Sequence, residues 1–365
     1  MTKIKDIIQY LETFAPPAFQ EDYDNSGLIT GDRQLEVTGV IISLDCTEKV
    51  VDETIDKGCN LIVAHHPIVF RGLKKLTGAN YIERTIIKAI KHDIAIYAIH
   101  TNLDNISQGV NKKIADKLCL EETKILRPRT DTLNKLTTFI PIDKTESVLE
   151  KLHEAGAGMI GDYKNCSFRI EGTGTFLPTE DANPSIGMIN KLEKVHEDRI
   201  EVIFPSFLKS KILSTLFKAH PYEEVAYYLH ELANTNDEVG AGMIGRLQSP
   251  MNTTDFLNFI KENLDTPVIR HTAVIKEKIK TVALCGGSGS FLLKDAIGQD
   301  ADIFITGDFK YHEFFDAEGR IIIADVGHYE SEQFTKELIY DILSEKFANI
   351  ALHFTEVITN PIFYA

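Results

Sequence analysis

Leu61-Ile62-Val63-Ala64-His65-His66-Pro67 decides the reading of this chain. The first four residues form a short apolar run with the character of a buried strand, and Pro67 would stop it. Two adjacent histidines at a strand end can both turn inward only where the regular alternation of faces breaks down. Two imidazoles delivered to one spot suit a transition metal better than an apolar core.

Working outward, residues 1 to about 125 alternate between helical and extended periodicity. Ile4, Ile7, Ile8 and Leu11 form a helical stripe behind Thr2, and Val40 to Leu44 reads as a strand. A helix over Val50–Ile55 leads to the strand at Leu61–Ala64. A helix over Ile82–Ile90 leads to another strand at Ile94–Ile99. The last third repeats the pattern, with strands at 280–284, 302–305 and 321–324 and one long helix from about Tyr329 to Lys346. Strands alternating with helices imply crossover connections and mainly parallel sheets. The fold class expected is α/β.

The middle differs. Strand (137–141), helix (146–154), strand (167–170), strand (199–204), helix (206–219) and strand (224–228) follow the ferredoxin-like order. The expected organisation is a two-part α/β core, 1–128 and 238–365, interrupted by an inserted ferredoxin-like α+β domain at 129–237. Gly156-Ala157-Gly158-Met159-Ile160-Gly161 recurs as Gly240-Ala241-Gly242-Met243-Ile244-Gly245, the second copy where the core should resume. These glycines read as turns or bulges.

Composition narrows the function. The 365 residues include 54 acidic and 39 basic side chains, a formal net charge of −15, and 43% are hydrophobic. An acidic chain repels phosphate backbones, which disfavours nucleic acid as a partner. Cys46, Cys59, Cys119, Cys166 and Cys285 are odd in number and never form C-x-x-C, so neither a disulfide framework nor a thiolate zinc site is expected. The N-terminus reads as the start of an amphipathic helix, and no apolar run approaches a membrane span of ~20 residues. A soluble, cytoplasmic protein with no membrane partner is expected.

Three segments that follow strands carry the chemistry: His65-His66; His100-Thr101-Asn102-Leu103-Asp104; and Asp325-Val326-Gly327-His328-Tyr329-Glu330-Ser331-Glu332. Sites in parallel α/β sheets gather at the carboxyl ends of strands, so the three can converge. His328 and Glu332 stand at i and i+4 on one helix face, a chelating pair. His65, His66, Asp104, His328 and Glu332 together exceed the needs of one tetrahedral ion and fit two divalent metals, with Glu332 the natural bridge. Taken singly, each has another role open to it: Asp104 as the cap of a following helix, His100 on a backbone carbonyl, His328 at a helix end, Glu332 on a solvated face. His100 and His312 are candidate catalytic proton shuttles. His220 reads as a packing or interface residue of the insert. Asp22 to Leu28 reads as a polar loop before the first strand, either a turn and nothing else or part of the pocket lining. Gly286-Gly287-Ser288-Gly289-Ser290 is a candidate anion cradle for a phosphate or carboxylate.

At this point the sequence resembles a known family. Asp24-Asn25-x-Gly27, Leu44-Asp45, His65-His66-Pro67, His100-Thr101-x-x-Asp104, Thr306-Gly307-Asp308 and Gly327-His328-x-x-x-Glu332 resemble the NIF-three-like family, whose bacterial members carry the label GTP cyclohydrolase 1 type 2. The middle segment, with Phe139-Ile140-Pro141 and His220-Pro221-Tyr222-Glu223-Glu224, resembles the extra domain of longer members, itself similar to signalling and copper-tolerance proteins. One departure is Tyr23, where members commonly have tryptophan. The resemblance implies a toroidal homohexamer, a trimer of dimers, with a dinuclear metal centre per subunit facing the inner cavity. It places His65, His66, Asp104, His328 and Glu332 on the family's metal ligands, with Glu332 bridging.

Two functions follow as expectations. One is a dinuclear-metal-dependent hydrolase of GTP cyclohydrolase type, acting on a nucleotide or small phosphorylated substrate. The other is a non-catalytic metal-binding ring that senses, stores or scaffolds. Mixed imidazole and carboxylate ligands suit zinc, iron, manganese or nickel alike.

Overall fold

A computed structural model describes all 365 residues. The chain divides into two compact units, one of Met1–Arg127 with Val239–Ala365, the other of Pro128–Glu238.

In chain order the first unit opens with α1 (Ile4–Phe14), β1 (Gly27–Thr30), β2 (Val40–Ser43), α2 (Glu48–Asp56), β3 (Leu61–Ala64), α3 (Tyr81–Lys91), β4 (Ala95–Ala98), α4 (Thr101–Asp104), α5 (Val110–Lys117) and β5 (Leu120–Arg129). The second unit holds β6 (Leu133–Pro141), α6 (Thr145–Ala155), β7 (Phe168–Phe176), β8 (Glu193–Pro205), α7 (Lys209–Ala219) and β9 (Tyr227–Leu232). The first unit then resumes with β10 (Asn236–Asn252), α8 (Thr253–Asn263), β11 (Arg270–His271), β12 (Lys278–Ser288), α9 (Leu293–Gly298), β13 (Ile303–Gly307), β14 (Ile322–Asp325), α10 (His328–Glu332), α11 (Thr335–Lys346) and β15 (Leu352–Phe354).

The first unit contains two sheets, ordered β1-β4-β3-β2-β15 and β11-β14-β13-β12-β10-β5. Their central strands run parallel: β15 with β2, β2 with β3, β3 with β4, β12 with β13 and β13 with β14. β1 and β11 add antiparallel edges, and β10 joins β12 antiparallel. The inner strands β2, β3, β4, β13 and β14 are short and mostly apolar because both of their faces are covered. Val40, Ile42, Leu61, Val63, Ala95 and Tyr97 share one core with Val282, Leu284, Ile303, Ile305, Ile322 and Ala324. Alternate residues face outward instead. Ile41, Ile62 and Ile96 pack with α2 and α3, while Ala283, Phe304 and Ile323 pack with α9. Each fully buried aliphatic side chain contributes about 1.5–3 kcal/mol, so these cores hold the carboxyl ends of the strands rigidly.

The second unit is one four-stranded sheet, β7-β8-β6-β9, antiparallel at every pairing. One face is closed by α6 and α7 through Leu136, Ile140, Ile200, Val202, Phe204, Leu149, Ile212 and Leu216.

The repeated glycine segments take different conformations. Gly156 is the left-handed cap of α6, whereas Gly240 to Gly245 lies inside β10. Gly242 has φ +65°, and a Cβ there would press on Leu292 and on the Leu284 carbonyl of β12 and touch Leu126 of β5, so glycine suits this close approach of strands. The long helix expected over 329–346 is two helices, α10 and α11.

β5 and β10 are neighbours in one sheet, with Arg246 beside Glu122 at 3.5 Å and Gly242 beside Leu126. The chain therefore leaves and re-enters the first unit on adjacent strands, a gap that a hairpin of about 2–5 residues closes. Replacing Pro128–Glu238 by such a turn is expected to leave a folded first unit with cooperative thermal unfolding. An insoluble or molten product by circular dichroism would show that the β5–β10 pair does not hold by itself.

Candidate metal centre

The site lies where the carboxyl ends of the two sheets of the first unit meet. β3 ends at Ala64, and both following residues remain tied to the neighbouring strand, His65 N–H donating to Ser43 O and His66 N–H to Leu44 O. The backbone bends there, which breaks the alternation and turns both imidazoles to one side. Their ring centroids are 4.9 Å apart. His100 follows β4, its ring 5.3 Å from that of His65 and 5.4 Å from that of His66.

From the other sheet, Asp325 ends β14, and Gly327 at φ +94° starts α10. A Cβ at Gly327 would collide with the Glu330 carboxylate, so only glycine allows this entry. One turn then sets His328 Nε2 3.1 Å from Glu332 Oε2. Gly287, at φ +62°, passes directly beneath Glu332, and a Cβ there would overlap Oε1.

Glu332 is the hub, 3% exposed. Its Oε2 lies 2.9 Å from His66 Nε2, and its Oε1 lies 3.8 Å from His65 Nε2. His65 Nε2 is also 3.5 Å from Asp104 Oδ1. Neither of those two buried atoms has a hydrogen-bond partner. A buried polar atom without a partner costs about 1–3 kcal/mol and is uncommon in a folded chain. Two of them facing each other across 3.5 Å match the donor set of a metal site. Three groups have the proximity to hold an ion: His65/Asp104/Glu332, His66/His328/Glu332 and His65/His66/His100.

Every imidazole is held from behind. His65 Nδ1 is 2.8 Å from Ile99 O, His66 Nδ1 2.8 Å from Asp45, His100 Nδ1 2.7 Å from Asp24 and His328 Nδ1 2.7 Å from Asp308. A carbonyl or carboxylate only accepts, so each Nδ1 carries a proton and each Nε2 is turned toward the centre. The backing carboxylates are anchored in turn. Asp45 accepts from Thr359, and Asp24 accepts from Ser26 and from the Thr101 amide and hydroxyl.

The charge distribution follows this geometry. Burial drives His65 down to about 4. Burial also opposes charging of His66 and His328, but Glu332 with Asp45 or Asp308 outweighs it, raising them to about 9 and about 11. Burial, reinforced by the Glu332 charge, pushes the Asp104 carboxyl well above its usual range. Burial acts the same way on Glu332, yet His328 and the other imidazoles hold its carboxyl well below the usual range. The cluster thus draws positive charge inward, as a cation site does.

Of the other roles open to these residues, the helix end holds for His328, the first residue of α10, while those for Asp104, His100 and Glu332 do not. Asp104 ends α4, and α5 is capped at Gly109, so Asp104 caps no helix. His100 bonds to Asp24, not to a backbone carbonyl. The loop before β1 supplies Asp24. His312 stands apart: it is exposed on the turn Tyr311–Ala317, its ring against Tyr311 and Phe315. His220 donates from Nε2 to Phe139 O inside the second unit. The glycine segment, which begins within the last residues of β12, is already engaged at two of its amides, Gly286 N–H on Asn111 and Gly287 N–H on Ser331. It braces α10 against the centre, which removes those two amides from any anion cradle.

Asp24, Asp45 and Asp308 went unassigned in the sequence, although each follows or adjoins a strand that feeds the site. Removing one should release its imidazole without removing a donor. Asp45→Asn is expected to weaken metal affinity about 10–100-fold with the fold intact. Titration with a competing chelator measures this, and unchanged affinity would show that Asp45 does not orient His66.

Comparison with known proteins places this arrangement. The family model Duf34/NIF3 (NGG1p interacting factor 3) matches residues 2–361. A Bacillus subtilis (strain 168) protein named GTP cyclohydrolase 1 type 2 homolog is 39% identical over 363 residues, covering 98% of this chain and 97% of that one. A Halalkalibacterium halodurans protein of the same name is 40% identical over 361 residues, with 97% of each chain covered. The solved structure of a Bacillus cereus protein related to NIF3 superposes with TM-score 0.88 at 36% identity, covering 100% of this chain and 99% of that one. A Staphylococcus aureus protein superposes with TM-score 0.80 at 34% identity, with the same coverage. With the match running through both sheets, the histidine pair and the helix that carries Glu332, the chain belongs to the Duf34/NIF3 family.

Proposed function

We propose that the protein is a hydrolase dependent on two divalent metal ions, with His65, His66, Asp104, His328 and Glu332 as ligands and a nucleotide-like substrate. The observation that carries this reading is the division of Glu332 between two ligand groups. Oε1 faces His65, whose Nε2 also faces Asp104, while Oε2 faces His66 and His328. Two groups of donors around one shared carboxylate could hold two ions. Such a pair would supply an activated water at neutral pH and a clamp on a polar substrate oxygen.

The chain's own residues do the rest. Asp24 holds the His100 Nδ1 proton, leaving His100 Nε2 to accept a proton beside the cluster and return it to a leaving group. His100 carries this role better than His312, whose ring contacts lie on its own turn. Beside His100, Phe70 at 6.4 Å and Tyr23, 6.2 Å from Phe70, form a partly exposed aromatic rim that suits a planar heterocycle. The relatives' printed name, GTP cyclohydrolase 1 type 2 homolog, makes GTP the first substrate to test. The family resemblance also supports a homohexameric ring, which sedimentation would test.

The deciding experiment measures metal per chain and formate release from GTP, with His65→Ala as control. Close to two ions per chain and formate release lost in the variant is the expected result. Two ions with no turnover on GTP would sink the cyclohydrolase and put the metal-binding ring ahead.

A further inference from the structure

The second unit holds a cavity that has no part in the metal reading. Its volume is about 410 Å³, within the range of small-molecule sites. It sits on the sheet face opposite α6 and α7. β7 contributes no side chain at Gly172 and Gly174, and Gly172 pairs across the sheet with Glu197. A Cβ on Gly174 would overlap Glu197 Oε2, so the glycine opens the floor and seats the carboxylate in it. Phe139, Phe176 and Tyr222 form the walls, Phe176 and Tyr222 meeting edge to face at 5.8 Å. The segment Leu177–Ile186 forms the roof, tied down where Asn183 N–H donates to Glu223 Oε1 at 2.7 Å.

The polar groups there are built, not incidental. Glu197 is 8% exposed, and its Oε1 accepts from the Tyr222 hydroxyl at 2.8 Å. His220 donates from Nε2 to Phe139 O and accepts the Tyr222 amide on Nδ1, which fixes the start of His220-Pro221-Tyr222-Glu223-Glu224 against the sheet. That motif thus shapes the cavity. The charged residues of the lining are Glu197, Glu223 and Glu224, and none is basic. An apolar chamber with only carboxylates rejects phosphates and nucleotides and favours a cation with an apolar body.

We propose that this cavity binds a small organic cation, an aromatic or branched amine whose body fills the chamber and whose ammonium pairs with Glu197. The reading is independent of the metal centre. Tryptamine and indole-3-acetate, alike in ring and opposite in charge, test it on the full-length protein by calorimetry and ligand-observed NMR. Tryptamine is expected to bind at least about tenfold more tightly than the acid. Glu197→Gln keeps an acceptor for Tyr222 and should weaken tryptamine roughly 10–100-fold. Ala182→Phe, which fills the chamber from the roof without touching charge, should abolish binding at an unchanged melting temperature. Equal binding of the two indoles, no saturable binding of tryptamine, or full affinity in Glu197→Gln would each overturn the proposal.

Discussion

Glu332→Gln is expected to reduce bound metal from about two ions per chain to one or fewer, with the fold retained. Each carboxylate oxygen faces a different group, Oε1 toward His65, which also adjoins Asp104, and Oε2 toward His66 and His328. An amide offers one carbonyl oxygen and an NH2 that cannot ligate, so at least one half-site loses a donor. The neutral side chain also withdraws the charge that helps hold two cations together. Losing an orienting residue alone costs about 10–100-fold in affinity, and losing a shared ligand should exceed that. The fold survives because Glu332 sits at the end of a short helix braced by Ser331, whose hydroxyl donates to His328 O. The raised pKa values of His66 and His328 depend in part on the Glu332 charge, so in the amide variant both imidazoles shed their extra proton more readily while Asp45 and Asp308 still hold their Nδ1 atoms. Metal analysis after exhaustive dialysis, with circular dichroism alongside, measures both halves. Two tightly held ions in the variant would end the bridging role.

That cluster was legible in the sequence because its residues follow strands with unmistakable composition. β2, β3, β4, β13 and β14 are buried on both faces and therefore read as short apolar runs, and the chemistry begins at the first polar residue after each. Other parts were not legible. β15 is three residues, and it pairs with β2 from more than 300 residues away in sequence, a contact no local periodicity announces. β1 is a half-buried antiparallel edge directly after a polar loop, and β5 alternates exposed and buried positions too irregularly to register. β10 conceals a strand under glycines because close approach of β5 and β12 takes the place of side chains. The break between α10 and α11 leaves no trace in the spacing of apolar residues. The backing role of Asp24, Asp45 and Asp308 needed coordinates, since a lone aspartate after a strand is equally a turn residue. His312 shared that ambiguity from the other side, a histidine after a strand whose turn keeps it exposed.

Asp104→Asn is expected to reverse the order of stability between metal-free and metal-loaded protein. Without metal, Asp104 is a part-buried carboxyl whose buried Oδ1 has no hydrogen-bond partner and whose charged neighbour Glu332 repels it. Its folded pKa lies above the unfolded value. Folding therefore favours the protonated form, and the penalty grows as pH rises from the unfolded pKa toward the folded one. Near neutral pH, well above the unfolded pKa, this acid therefore weakens the metal-free fold, and asparagine, which exchanges no proton, removes that cost. A gain of about 1 kcal/mol would raise melting by about 2–4 °C for a unit of this size. With metal the sign changes. Binding at a thousandfold excess over Kd stabilises by about 4 kcal/mol per site, and a variant lacking one donor forfeits part of that. Thermal melts with and without chelator should then cross: wild type melts higher when loaded, and Asp104→Asn melts higher when stripped. If the stripped variant melts lower than stripped wild type, the Asp104 carboxylate stabilises the fold by itself, and metal binding is not what this part-buried acid is held in place to do.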